Sequence, residues 1–309
     1  MRGSYIGPQT KAIANYLRFD VGISQNKLQR IFKELFDLEF HQTSVAGFEN
    51  QLRKRSQNIY NEMRIILNKA KLLYIDETGW KKDGLPYWLW CFCNAAMAFY
   101  HIDKSRGGKV VKNILGNKFN GIILSDFLSA YNAIDSKKQK CLPHVLRAIK
   151  RLDASSGSDK EVADFCRKFK KIIKRVIHLF KNRKGIPDYV TYRADVIAQC
   201  KRLLSKQFSH KKLERWRNTL NQHIEELYTC LFNPGSDSNN NFVERMLRSN
   251  VIMRKLTFGN RSDNGTKNHS VIMSLLKTAK LNKRYPPDIF CQILTKPSRV
   301  SLSSIIRAP

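Results

Sequence analysis

The stretch Lys71-Leu72-Leu73-Tyr74-Ile75-Asp76-Glu77-Thr78-Gly79-Trp80 decides the fold class. Leu72 to Ile75 is a short apolar strand that ends at Asp76, after a long helical lead-in. Tyr87 to Ala95 and Ala98 to Ile102 read as two further strands, with turns at Gly84 to Pro86 and Asn94 to Ala96. Lys109 to Leu115 is a short helix. Gly121 to Ser125 is a fourth strand ending at Asp126, Tyr131 to Ile134 starts another helix, and Lys140 to Leu142 gives a possible fifth strand. Three antiparallel-looking strands followed by alternating β and α elements predict an α/β fold, a mixed sheet flanked by helices.

Outward from this stretch, residues 1–70 read as helical. Gln9 to Arg18 is periodic, Gly22 breaks the run, and Ser24 can cap a helix carrying Leu28, Ile31, Phe32, Leu35 and Phe36. Gln51 to Asn68 extends a third helix. Such helices fit either a helix-turn-helix or a small bundle. Beyond the sheet, residues 145–232 are helical and very basic. Val162, Phe165, Phe169, Ile172, Ile173, Val176, Ile177 and Phe180 form an apolar stripe bordered by Lys168, Lys170, Lys171, Lys174 and Arg175. Phe242 to Leu256 and Asn268 to Leu281 close the chain as helices. The expected segments are 1–70, helical; 71–152, the first part of the core; 153–235, a basic helical insertion; and 236–309, the rest of the core with a tail.

The charge balance narrows the partners. Lys and Arg number 56 against 25 Asp and Glu in 309 residues, a formal charge of +31. That self-repulsion points to a polyanion, nucleic acid first. The run Tyr87 to Tyr100 is too short for a spanning helix, which needs about 20 apolar residues, and is interrupted by Asn94. Met1 to Lys11 does not read as a signal peptide. Seven cysteines without disulfide spacing fit a reducing compartment. The expectation is a cytoplasmic protein without a membrane partner, nucleoid-associated if bacterial.

Three acids are placed for chemistry. Asp76 and Asp126 follow apolar strands, and Glu244 lies early on a helix in Asn240-Asn241-Phe242-Val243-Glu244-Arg245. Acids at neighbouring strand ends and on a helix across that edge can share a pair of Mg²⁺ ions, which take hard oxygen ligands. Two ions roughly 3.5–4 Å apart serve in-line phosphodiester displacement. The same residue types also form helix caps, turns and solvated helix faces.

These blocks resemble the insertion-sequence-66 transposases, whose catalytic core is a ribonuclease-H-like DDE domain. The likeness runs from Gly7 to about Phe290. Gly7-Pro8, Tyr16-Leu17-Arg18 and Gly22-Ile23-Ser24 are similar to the segment before that core. Asp76-Glu77-Thr78-Gly79-Trp80 with Tyr87-Trp88-Leu89-Trp90 matches its first-acid block, and Ser125-Asp126 with Ala130-Tyr131-Asn132 the second. Asn240-Asn241, Glu244-Arg245, Leu247-Arg248 and Arg254-Lys255 match the third, followed by Ser274-Leu275, Thr278-Ala279 and Leu281-Asn282.

The resemblance implies that Asp76, Asp126 and Glu244 are catalytic ligands of two Mg²⁺ (or Mn²⁺) ions. It implies metal-dependent cleavage and strand transfer on element ends and target DNA, by a homo-oligomer on DNA, with accessory transposition proteins. Arg245, Arg248, Arg254 and Lys255 would contact DNA phosphates. Cys141-Leu142-Pro143-His144 resembles a Cys-x-x-His motif found after the second acid. Cys141 and His144 fall short of the four ligands of a structural zinc site and read as structural or substrate-orienting. Ser249 and Ala148 depart from the family pattern, which is entered partway at the N-terminus. A copy truncated there, or one repurposed as an inactive DNA-binding protein, is the alternative.

Overall fold

The computed structural model describes residues 5–306, so the first four residues of the N-terminal segment and the last three of the tail lie outside the described residues. In chain order the elements are α1 (Pro8–Tyr16), a π-helical turn (Leu17–Val21), α2 (Gln25–Phe36), α3 (Gln42–Arg55), α4 (Gln57–Leu67), β1 (Leu72–Lys82), β2 (Leu85–Cys93) and β3 (Ala98–Asp103). Then come α5 (Gly108–Leu115), β4 (Lys118–Ser125), a 3-10 turn (Ser129–Ala133), β5 (Asp135–Lys140), α6 (Leu142–Ser155), α7 (Lys160–Asn182), α8 (Tyr189–Leu204), α9 (Lys211–Gln222) and α10 (Thr229–Phe232). α11 (Asn241–Thr257), α12 (Asp263–Leu281), α13 (Pro286–Thr295) and α14 (Leu302–Ile305) complete the chain. The strands form one sheet in the order β3-β2-β1-β4-β5, mixed and flanked by helices, consistent with a ribonuclease-H-like fold.

Two compact units divide the chain: Met1–Phe119 with Ser129–Ile134 and Asn241–Pro309, and Asn120–Leu128 with Asp135–Asn240. In the first, Ser24 caps α2 by accepting from Lys27 N at 3.3 Å. Leu28, Phe32, Phe40, Val45 and Phe48 bury together, with Phe40 5.4 Å from both Phe32 and Phe48. The helix predicted over Gln51 to Asn68 is broken at Ser56, whose hydroxyl bonds back to the Leu52 carbonyl at 2.7 Å and whose φ of −96° leaves the helical region.

β1 does not end at Asp76. It continues to Lys82, because Asp83 and Gly84 both take positive φ (49° and 75°) and turn the chain directly into β2. Two such residues make the turn that matches strand twist, so the ladder extends up to it. Asp76 therefore sits in mid-strand opposite Cys91. Along β1 the odd positions Leu73, Ile75 and Glu77 are buried on one face, and Tyr74, Asp76 and Thr78 lie half-buried on the other.

β3 is an edge strand, and α12 covers it with hydroxyls. Ala98, Tyr100 and Ile102 donate their backbone N–H groups to Thr278, Ser274 and Ser270 at 3.2, 2.8 and 3.2 Å. One periodicity of two meets another of four, so each outward N–H finds one turn of α12. An open row of donors is thereby closed.

In the second unit, α6 to α10 share one core. Val162, Phe165, Phe169, Ile173 and Val176 on α7 are buried, with the Trp216 ring edge-on to Phe169 at 5.7 Å. Asp159 caps α7 by accepting from Val162 N at 3.0 Å. β5 lies earlier than the predicted Lys140 to Leu142, because Cys141 and Pro143 already start α6 there. The helix predicted from Tyr131 is only the 3-10 turn.

Gly259, in the α11–α12 turn, has φ +97°, and a Cβ there would lie 2.2 Å from the Lys81 carbonyl oxygen. Gly116 has φ +80° with nothing within 4 Å of its would-be Cβ. Gly259→Ala is expected to cost about 3 kcal/mol or more of stability, and Gly116→Ala about 1 kcal/mol, in urea unfolding. Equal costs would contradict the close approach at Lys81.

Candidate active site

α11 packs across the face of β1 that carries Tyr74, Asp76 and Thr78. At its start the Phe242 ring lies 5.3 Å from the Tyr74 ring. At its other end Arg254 Nη1 donates to the Gly79 carbonyl and reaches Thr78 Oγ1 at 3.4 Å. Val243, Leu247, Asn250 and Met253 form the buried side. Glu244 stands in the first turn, half-buried, on the helix that crosses Asp76's face. Two of the three expected acids thus lie on elements that pack together. Asp76 Oδ1 also accepts from Glu77 N at 3.0 Å.

Asp126 lies directly after β4 as expected, in the second unit, and its Oδ1 accepts from Leu128 N at 2.8 Å. Beneath it is a residue that the sequence did not single out. The Lys140 side chain is fully buried. Its Nζ donates to the Asp126 carbonyl at 3.2 Å and pairs with Glu226 at 3.3 Å. Burial lowers the affinity of this ammonium for its proton, and Glu226 opposes that shift. A lysine at the end of an otherwise ordinary strand carries no sequence signal of burial.

Glu77, the neighbour of Asp76, points to the opposite face. Its side chain is 2% exposed and takes Tyr131 Oη at 2.5 Å on Oε2. Arg106 Nε and Nη2 grip Oε1 at 3.0 and 2.8 Å. The Arg106 guanidinium also lies 4.3 Å from the Trp88 ring. Two charge-assisted N–H bonds to one oxygen, with Tyr131 on the other, fix β1 immediately beside Asp76.

The four expected DNA contacts divide. Arg245, Arg248 and Lys255 are exposed along one outer stripe of α11, whereas Arg254 faces β1 and tethers the helix to it. Cys141 is buried, its Sγ accepts from Asn240 N at 3.2 Å, and its own N–H donates to the Ser125 carbonyl at 2.9 Å. His144 Nε2 lies 2.9 Å from Arg147 Nη2. This thiol holds a loop, and the imidazole meets an arginine. All seven cysteines are free.

Among the described residues no group of three or more His, Cys, Asp or Glu is disposed to hold a metal ion. Carboxylate oxygens of the kind that Asp76, Asp126 and Glu244 each carry suit a hard divalent cation rather than zinc or copper. No described helix is long and apolar enough to cross a membrane.

A mixed sheet with helices on its flanks, with a mid-strand aspartate and a helix-borne glutamate on elements that pack together, makes this a strongly basic α/β protein. The Transposase IS66 family model matches residues 3–268, and the chain belongs to that family. Membership gives it a transposase role and makes DNA its partner. No curated protein matches the chain.

One buried group reports on how α11 is seated. His269 of α12 lies 2.7 Å by Nε2 from Asn250 Oδ1 of α11, with the Trp80 ring at 4.6 Å. Burial pushes its pKa down to about 3, and Arg18 adds to the shift. The unfolded chain takes that proton near pH 6.5 and the folded one does not. Stability is therefore complete above that pH and falls as pH drops towards 3, by about 1.4 kcal/mol per unit. Urea unfolding between neutral pH and about pH 5 is expected to show a slope one proton shallower in His269→Gln. Parallel slopes would contradict a buried neutral imidazole.

Proposed function

We propose that the chain catalyses metal-dependent phosphodiester cleavage at the ends of a mobile element and joins the freed 3′-hydroxyl to target DNA. Asp76, Asp126 and Glu244 would hold two Mg²⁺ or Mn²⁺ ions. Once bound, such a pair stabilises charge on the attacking and leaving oxygens of an in-line displacement. The observation that carries the reading is the crossing of α11 over β1, which sets Glu244 on the helix above Asp76's face in a chain of the IS66 family.

The chain's other residues would act on the substrate before any bond breaks. Arg245, Arg248 and Lys255 share the exposed stripe of the Glu244 helix and suit phosphate contact beside the cleaved bond. On α7, Lys170, Lys171 and Lys174 line a shallow concavity of about 420 Å³ and suit backbone contact along the duplex. Lys168 and Arg175 of the same helix pair with Asp164 and Asp195. Glu77 and Arg106 would keep β1 rigid while Asp76 carries charge. Assembly as a homo-oligomer on DNA, with accessory transposition proteins, belongs to the same reading.

The test is divalent-dependent nicking of terminal-repeat DNA. Asp76→Ala, Asp126→Ala and Glu244→Ala are each expected to lower it by about 100-fold or more while DNA is still bound, since each removes an ion ligand. Nicking by Asp126→Ala equal to the parent would remove Asp126 from the site. Binding without cutting by the parent, in Mg²⁺ and in Mn²⁺, would leave only a DNA-binding role. With about 8 phosphates contacted, log affinity should fall against log salt with a slope near −7. Joint replacement of Arg245, Arg248 and Lys255 by Ala should make the slope shallower by about 2–3. An unchanged slope would place the DNA elsewhere.

A further inference from the structure

The turn between α11 and α12 is pinned to the β1–β2 hairpin. Asn260 N donates to the Lys81 carbonyl at 2.9 Å, Asp83 N to the Asn260 carbonyl at 2.8 Å, and Trp80 Nε1 to Asn260 Oδ1 at 2.8 Å. On this rigid turn Phe258 holds a left-handed φ of 58° and leaves its ring 72% exposed. A large side chain in that conformation is held by its surroundings, and here they present it to solvent. Leu256, two residues earlier, is also exposed.

Beside Phe258 opens a cavity of about 420 Å³, lined by Leu256, Thr257, Gly259 and Asn260 on one side and by the starts of α2 and α3 on the other. Its floor is polar. Asn268 is 2% exposed, and its Oδ1 has no hydrogen-bond partner. Asn50 Oδ1, also in the lining, is a buried acceptor without a hydrogen bond. Glu49 is buried with them. Its Oε1 accepts from Gln25 Nε2 at 2.9 Å and lies 3.5 Å from Arg18 Nε, and the Asn268 side chain also hydrogen-bonds its carboxylate.

Unmet buried acceptors in a cavity of this size call for a ligand rich in N–H donors. Of the DNA bases, guanine presents the most on one edge, at N1 and at its exocyclic amine. The rim favours a phosphate: Arg261 is exposed there, and the N-termini of α2 and α12, capped by Ser24 and Ser262, open onto it. Proteins that extrude a base read its pairing edge in a pocket, and apolar wedges fill the stack it leaves.

We propose that this cavity receives a guanine base extruded from the bound DNA, with Asn268 and Asn50 reading its donor edge and Phe258 occupying the vacated stack. The inference rests on the reading of the chain as a DNA-acting transposase, but the cavity itself involves none of the three catalytic acids.

The test uses the full chain in two arms. In the first, dGMP, dAMP, dCMP, TMP and inorganic phosphate are titrated by calorimetry and saturation-transfer NMR, without divalent metal. Saturable dGMP binding is expected, about tenfold tighter than TMP or phosphate, and about tenfold weaker in Asn50→Ala and Asn268→Ala. Asn50 is half-buried, so its variant keeps the test informative if Asn268→Ala fails to fold. In the second, terminal-repeat duplexes carry 2-aminopurine beside each guanine in turn. One position is expected to brighten with the parent and not with Phe258→Ala, which keeps its dGMP affinity. Equal affinity for all nucleotides and phosphate, or no nucleotide binding up to about 10 mM, would overturn the proposal. Base-selective binding with a triad variant inactive in nicking would leave it intact, and loss of nicking alone would count only against the metal-site reading.

Discussion

The backbone of Gly259 lies against the Lys81 carbonyl, closer than any side-chain-bearing residue could come. That contact fixes where α11 ends relative to the β1–β2 hairpin. With the Arg254 tether to Gly79 and the Phe242 ring over Tyr74, it sets the register of α11 along β1 over its full length. The position of Glu244 over the Asp76 face follows from that register. So does the outward direction of Arg245, Arg248 and Lys255, and so does the fixed protrusion of Phe258. Because the helix beneath it cannot slide, the place of this carboxylate along the strand is fixed.

Buried polar groups do much of the positioning around this contact. The hydroxyls of Ser270, Ser274 and Thr278 close the β3 edge, and His269 joins α12 to Asn250 of α11. Glu77 is held from two sides by Tyr131 and Arg106. Such groups are costly to bury unless every partner is in place, so each fixes one arrangement of the elements it joins. In the second unit the same logic recurs at Lys140, buried between Glu226 and the backbone of Asp126. Both aspartates of the expected site thus have a satisfied charge network directly beside them.

Much of the architecture was legible from local pattern. The apolar run before Asp76, the Ser24 cap and the α7 stripe each announce themselves within a dozen residues, and the structure has them where the pattern puts them. The misreadings came from features that need a partner to be seen. The first strand reads as ending at Asp76 until Asp83-Gly84 supplies the hairpin that pairs Thr78 to Lys82 with β2. Ser56 looks helical until its hydroxyl takes the Leu52 carbonyl. Arg254 looks like its exposed neighbours, yet its position on the helix turns it to β1. The acids at 76, 126 and 244 were legible as candidates only through their order and resemblance, since no spacing in the sequence encodes a meeting between residues so far apart. Lys140 and the cavity floor of Asn50, Asn268 and Glu49 left no local trace at all.

The proposed reaction requires that three carboxylates, from a mid-strand aspartate, a strand-end aspartate and a helix-borne glutamate, hold a pair of divalent ions when DNA is bound. Anomalous diffraction from crystals of the chain grown with Mn²⁺ and terminal-repeat DNA measures this most directly. Two manganese peaks about 3.5–4 Å apart, touched by Asp76, Asp126 and Glu244, are the predicted result. Well-ordered DNA with manganese bound away from these three side chains, or with none beside them, would contradict it.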